Sequence, residues 1–246
     1  MTQYIIRRVL ASIPVLFGIL AITFAMARMI PGEPCKAILG EKATPEVCER
    51  FIKAKGLDQP IPVQFAIYMK DMARGDFGSS IRFNRTISDI LIDRMPVTIE
   101  LSMSAMLLAM AVGIPAGIFS AVRRNSPIDV ATMALSNLGV SIPVFFLGLL
   151  LAYLFALVLK DTPLQLPPSG RLSAGLESIP FYEVYGWQVE EGTKWFSFVR
   201  FISNFYIFNS LITGSWEVLK DSVQHLILPT LALSTIPMAI IARMTR

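Results

Sequence analysis

Few residues of this chain are of types that do chemistry, and their spacing argues against catalysis. The single histidine is His225. A metal site needs several imidazole, thiolate or carboxylate ligands, and a nucleophilic triad needs a base oriented by a third group. No second histidine exists, and both cysteines lie far away in sequence. His225 therefore reads as a polar residue where a helix meets the membrane interface. No Gly-x-x-x-x-Gly-Lys-Ser/Thr run is present to cradle a phosphate. No catalytic, cofactor-binding or metal-ligating residue is expected.

Cys35 and Cys48 are the only cysteines and share one segment. If that segment faces an oxidising exterior, a disulfide is the favoured reading, with two free thiols as the alternative. Charges inside apolar spans are the default functional candidates in a membrane protein. Only two come near: Arg28, where the first apolar run ends and the side chain can snorkel, and Glu100, where the second begins. Neither resembles part of a proton relay. An ion-coupled carrier would lack its usual intramembrane carboxylate.

The elements that must carry these residues follow from composition. Hydrophobic residues make up 54% of the 246 and charged residues 16%, against about 25% charged in soluble domains. A bilayer core of roughly 30 Å needs about 20 apolar residues as a helix. Residues 9–27, 101–122, 130–159 and 226–242 carry no charge and predict four spans. The first is too long for the apolar part of a secretory signal and lacks a cleavage site after it. The fold class is therefore an all-α integral membrane protein. Residues 1–97 form an N-terminal helix plus an outer segment. Residues 98–246 form a second unit, with helices near 99–122, 130–159 and 226–242 and an outer insertion at 160–225.

Short basic segments set orientation. Arg7 and Arg8 precede the first span, Arg123 and Arg124 sit in the turn between the second and third, and Arg243 and Arg246 follow the fourth. Four crossings place all six on one side, which should be the cytoplasm, with the N-terminus there too. The net charge of +4 then reads as topology, and no nucleic-acid partner is expected. Residues 195–212 are rich in aromatics and raise the alternative of a fifth crossing. Arg200 interrupts them, and a fifth crossing would put Arg243 and Arg246 outside. An element at the outer membrane face is the better reading.

Prolines mark the spans. Pro143 interrupts the third, whose thirty residues would reach about 45 Å as a straight helix; a kink is expected there. Pro229 and Pro237 lie in the fourth. Kinks near a transport path and the ordinary frequency of proline in membrane helices explain them equally well. In the first outer segment, Pro31-Gly32-Glu33-Pro34 is a turn signal. Thr44, Pro45 and Gly56 predict the start and stop of a short helix. Residues 63–74 carry helical spacing, 75–80 a turn, and 87–95 a short amphipathic stretch.

Several of these landmarks, in order, resemble the binding-protein-dependent ABC transporter permeases of the dipeptide, oligopeptide and nickel class. The likeness is to the first, B-type, membrane subunit. It is carried by Tyr4-Ile-Ile-Arg-Arg-Val-Leu, by Arg28-Met-Ile-Pro-Gly-Glu-Pro34 with Glu33 where the family has aspartate, and by Arg74-Gly-Asp-Phe-Gly78. It continues in Arg94-Met-Pro-Val-Thr-Ile-Glu-Leu101, Ser141-Ile-Pro-Val-Phe-Phe-Leu-Gly148, Leu166-Pro-Pro-Ser-Gly170 and His225-Leu-Ile-Leu-Pro229. The resemblance implies a type I ABC permease fold, with four helices present of six. It implies a subunit in the cytoplasmic membrane of a prokaryote that moves di- or oligopeptides, or a related small solute. It also implies a second homologous permease, two cytoplasmic ATPase subunits that hold ATP and Mg, and an extracytoplasmic solute-binding protein. The family's cytoplasmic coupling loop would follow Arg246. Its absence reads as C-terminal truncation, and a transport-inactive remnant or assembly partner is the alternative. The aromatic segment 171–222 reads as an insertion.

Overall fold

The computed structural model describes residues 2–29, 35, 44–54, 56–80, 82–83 and 85–246. The chain is an all-α, multi-pass membrane protein. It divides into two compact units, Met1–Ile90 and Leu91–Arg246. Three helices are long and apolar enough to cross a membrane, or up to four if one sharply bent pair is a single span.

In the first unit, α1 (Thr2–Met29) runs unbroken through Pro14. Its apolar side chains are exposed nearly all round, from Val9 to Met26, as expected of a helix whose solvent is lipid. One face packs edge-to-ring: Phe17 and Phe24 each lie 5.4 Å from Phe65. Phe65 belongs to α3 (Ile61–Ala73). Between them, α2 (Pro45–Ala54) begins and ends where Thr44, Pro45 and Gly56 predict. The Thr44 hydroxyl accepts from the Val47 N–H at 3.4 Å. Gly56 adopts φ +61°, and the Leu57 N–H closes back on the Ile52 carbonyl. The structure joins Cys35 to Cys48, 13 residues apart, with Cα atoms 5.3 Å from each other. The Pro31–Pro34 turn signal lies outside the described residues. A two-residue hairpin pairs β1 (Ser79–Ser80) with β2 (Arg85–Thr86).

Helix α4 (Ile87–Val122) has 36 residues and starts well before the apolar run; the amphipathic stretch at 87–95 is its first part, not a separate element. Ser126 caps α5 (Pro127–Ser141) by accepting from the Asp129 N–H. The third apolar run is broken, not kinked. Ile142 (φ −81°, ψ 122°) and Pro143 (φ −58°, ψ 130°) are both extended, as the residue before a proline is pushed to be. The chain then turns by 97° into α6 (Val144–Ala152) and the wide π-turn Tyr153–Val158. By contrast α10 (Trp216–Thr245) stays helical through Pro229 and Pro237 and starts ten residues before the predicted 226. Ten residues add about 15 Å, so α4 and α10 both extend past their apolar runs.

The segment before α10 is a folded unit and not a fifth crossing. It contains α7 (Phe181–Val184), α8 (Lys194–Ser203) and α9 (Tyr206–Thr213). At 10 and 8 residues, α8 and α9 are about 15 and 12 Å long, far short of a span. Phe181, Tyr182 and Val199 form its core, with Phe196 and Ile202 against them. Asn209 is 1% exposed. Its side chain accepts from the Phe181 N–H at 2.8 Å and donates to the Ile179 carbonyl at 2.8 Å. One buried amide thus caps α7 and ties α9 to it.

The span helices meet through small residues. Ala105, Ala109, Gly113 and Gly117 recur every four residues along the buried face of α4. A Cβ on Gly113 would lie 2.8 Å from the Met238 carbonyl, and one on Gly117 would lie 2.7 Å from that of Ala242. Backbone-to-backbone approach of this kind is how membrane helices associate where apolar burial offers no net drive.

Candidate functional site

Glu100 sits on α4 at the end of the apolar run and is 8% exposed. A carboxylate so placed must be paired and hydrogen-bonded. One oxygen accepts from Arg171 Nη2 at 2.8 Å. The other accepts from the Ile207 N–H at 2.9 Å, in the first turn of α9. A negative charge there satisfies an orphan donor and suits the helix dipole. Glu100 therefore caps a helix 107 residues away in sequence.

Arg171 is held from three sides. Its Nη2 also donates to the Asn204 carbonyl at 2.7 Å, and its guanidinium lies 3.5 Å over the Tyr206 ring. Planar stacking and fork-like donation are what guanidinium offers and ammonium does not. Close by, Arg200 meets Asp93 at 2.7 Å, and the Asn204 amide reaches the Ile92 carbonyl at 3.2 Å. The segment that holds α8 and α9 is thereby fastened to the extension of α4.

His225 is 7% exposed. Its Nδ1 donates to the Asp221 carbonyl at 2.9 Å, which leaves Nε2 as the acceptor of the neutral ring. The Asp221 carboxylate accepts from the Ser173 N–H and hydroxyl, both at 2.7 Å. Serine, aspartate and histidine thus come together, but in the wrong order for nucleophilic catalysis. The serine proton goes to the carboxylate, and the imidazole is not between them. Among the described residues no group of three or more metal-ligating side chains occurs.

These two anchors hold the 168–173 loop, through Arg171 at one point and Ser173 at another. Gly170 (φ +95°) lets it turn beside the His225 ring. The loop, α4, α6, α9 and α10 border an open-sided cavity of about 590 Å³. Its walls are mostly apolar, from Val97 and Leu101 to Phe145, Leu149 and Leu228, with Glu100, Arg171, Tyr206, Ser222 and His225 at one side. An apolar cavity with a few convergent polar groups is the usual form of a small-molecule site. The Ser222 hydroxyl is buried without a hydrogen-bond partner among the described residues.

The site contains residues that sequence reasoning singled out and residues it missed. Glu100 and His225 are present, and Pro229 is on the wall. Pro143 makes the break that swings α6 toward the cavity, while Pro237 lies further along α10. Arg171, Tyr206 and Ser222 were not anticipated. The only signal for Arg171 was its place directly after the Leu166–Gly170 motif.

A second buried carboxylate lies at the other end of this unit. Asp129 on α5 accepts from the Ser120 hydroxyl and, at 2.8 Å, from the Asn125 N–H. Arg246 grips both of its oxygens at 2.7 Å. Arg123, Arg124 and Arg243 are exposed around it. Four of the six arginines expected to set orientation thus gather at one end, and Arg246 is ion-paired. Arg7 and Arg8 are exposed on α1.

Two family models match in sequence order. Residues 1–102 match the N-terminal model of binding-protein-dependent transport system membrane components. Residues 113–246 match the binding-protein-dependent transport system inner membrane component model. The dipeptide transport system permease protein DppB of Alkalihalophilus pseudofirmus is 39% identical over all 246 residues, which cover 66% of that protein. The di/tripeptide transport system permease protein DppB of Pseudomonas aeruginosa is 34% identical over 100% of this chain and 66% of its own length. The probable D,D-dipeptide transport system permease protein DdpB of Escherichia coli is 36% identical over 94% of this chain and 61% of its own. The chain spans about two thirds of the length of these relatives. It belongs to the family of binding-protein-dependent transport system inner membrane components.

Proposed function

We propose that this chain is the membrane-spanning permease subunit of an ATP-driven importer of di- or oligopeptides, and that it contributes half of a translocation path. The observation that carries this is the likeness to dipeptide permeases along the whole chain, from α1 through α10. The internal charges fit that reading. Glu100 and Asp129 are held by cations and N–H groups, so neither is poised to carry a proton across. The energy source is then another subunit, with ATP and Mg bound on two cytoplasmic ATPases. A second permease would complete the path, and an external solute-binding protein would deliver the cargo. The whole would switch between inward-open and outward-open states by a shift of population. The chain itself is not an enzyme in this scheme.

Orientation follows the basic residues, with the N-terminus and the Arg123–Arg124 turn in the cytoplasm of a prokaryotic cell. The segment holding α7 to α9 is then extracytoplasmic. Deleting the gene should abolish uptake of a labelled dipeptide and leave uptake of the free amino acids intact. Unchanged dipeptide uptake would overturn the proposal. Reporter fusions at Arg124 should read cytoplasmic and fusions at Trp187 external. The reverse pattern would invert the topology.

A further inference from the structure

We infer that the cavity between α4, α6, α10 and the 168–173 loop is a subsite for the main chain of a short peptide, with Arg171 receiving the terminal carboxylate. This rests on the reading that the cargo is a peptide, and it assigns the residues that would hold it. The size fits: about 590 Å³ lies within the range of roughly 300–1,000 Å³ for sites that enclose small organic ligands.

The polar groups are complementary to a peptide's ends. Arg171 spends only Nη2 on Glu100 and Asn204. Its Nε and Nη1 donate to no acceptor among the described residues and remain for a third oxygen. The guanidinium is already ordered by the Tyr206 ring, so little side-chain freedom is lost when a ligand arrives. His225 Nδ1 is engaged by the Asp221 carbonyl, so in the neutral ring Nε2 is an acceptor. Ser222 lines the same wall, with its Oγ buried behind the surface and without a hydrogen-bond partner among the described residues. The imidazole therefore stands on α10, and donors for a carboxylate stand on the loop.

Charge balance narrows the ligand class. Glu100 cancels the charge of Arg171, so the rim as a whole is neutral. A neutral rim with separated donors and acceptors suits a zwitterion better than a simple anion. The apolar walls offer contact without polar readout of side chains, so recognition falls on the main chain and tolerates varied sequences.

The test uses the full chain in lipid nanodiscs, with the dipeptide Ala-Phe and its C-terminal amide as probes in calorimetric titrations. The free acid should bind at least tenfold more tightly than the amide. Arg171→Lys should reduce that preference below threefold. Ser222→Ala should leave the melting temperature unchanged or raised, because an orphaned hydroxyl is removed, and keep the tenfold preference for the acid. Leu101→Trp, at a half-buried position on the cavity wall, should abolish binding of both. Equal binding of acid and amide overturns the subsite. So does a tenfold preference retained in Arg171→Lys, or a copurifying phospholipid found in the cavity by native mass spectrometry. If the gene deletion leaves dipeptide uptake unchanged, the importer reading itself falls. If uptake depends on the chain but acid and amide bind alike, only the subsite falls.

Discussion

Two buried carboxylates, one at each end of the second unit, solve the same problem in different ways. Asp129 takes most of its donors from nearby sequence. Ser120 and Asn125 are within nine residues, and only Arg246 comes from afar. Glu100 takes both of its partners from the segment between α6 and α10, 71 and 107 residues on. The Asp129 cluster closes a tight turn between two helices, and Ser120 and Asn125 supply it from within that turn and its flank. The Glu100 cluster exists only once a separate folded element has docked. The first is built like a fixed joint. The second is a junction that two elements share, and it borders the cavity.

The comparison predicts unequal damage. Asp129→Leu should give the larger fall in the melting temperature of the purified chain, because it orphans the buried Ser120 hydroxyl and the Asn125 N–H in one step. A milder effect than that of any Glu100 variant would break the comparison. Glu100→Gln should cost about 2–3 kcal/mol. Breaking a buried ion pair costs roughly 3–5 kcal/mol, discounted here because Arg171 is a quarter exposed. Its signature is local: hydrogen exchange should rise in residues 204–213 and stay unchanged at the 120–129 turn. Equal exchange at both ends would show that the clusters are one cooperative unit.

Two smaller effects sharpen the contrast. Gly117→Ala should cost about 1–3 kcal/mol by overpacking, because the Ala242 carbonyl is only 2.7 Å from the new Cβ. The loss should appear at the Asp129 end and spare the 204–213 segment. Within the segment that holds α7 to α9, burial raises the pKa of Tyr182 above the usual phenol range. The unfolded phenol ionises first as pH rises, so this contribution is complete below about pH 10 and declines through the higher folded value. Trp187, packed 5.6 Å from Phe181, should report alkaline loosening by fluorescence. Tyr182→Phe should remove that pH dependence, and a dependence that survives in the variant would assign it elsewhere.

Much of the fold was legible in the residues. The four uncharged runs located the apolar helices because bilayer thickness sets a length that sequence displays directly. Thr44, Pro45 and Gly56 bounded α2, since caps depend on neighbours only a few positions away. Helix ends beyond the runs were not legible: α4 and α10 continue where hydropathy stops, held by packing and pairing with the segment that holds α7 to α9. The candidate site was half legible. Glu100 and His225 stood out by type and position, whereas Arg171, Tyr206 and Ser222 carry no local pattern that names their partners.

The prolines show where the division lies. Pro14, Pro96, Pro115, Pro229 and Pro237 all sit inside continuous helices, whereas Pro143 separates two. Each sends the same local message, a missing N–H and a restricted neighbour. Sequence determined the membrane class, the apolar spans and the short caps, because these depend on composition, length and near neighbours. Tertiary structure decided which proline became a 97° turn and which distant charge met Glu100. Those outcomes depend on where packing holds the chain on either side, and no periodicity within one segment records that.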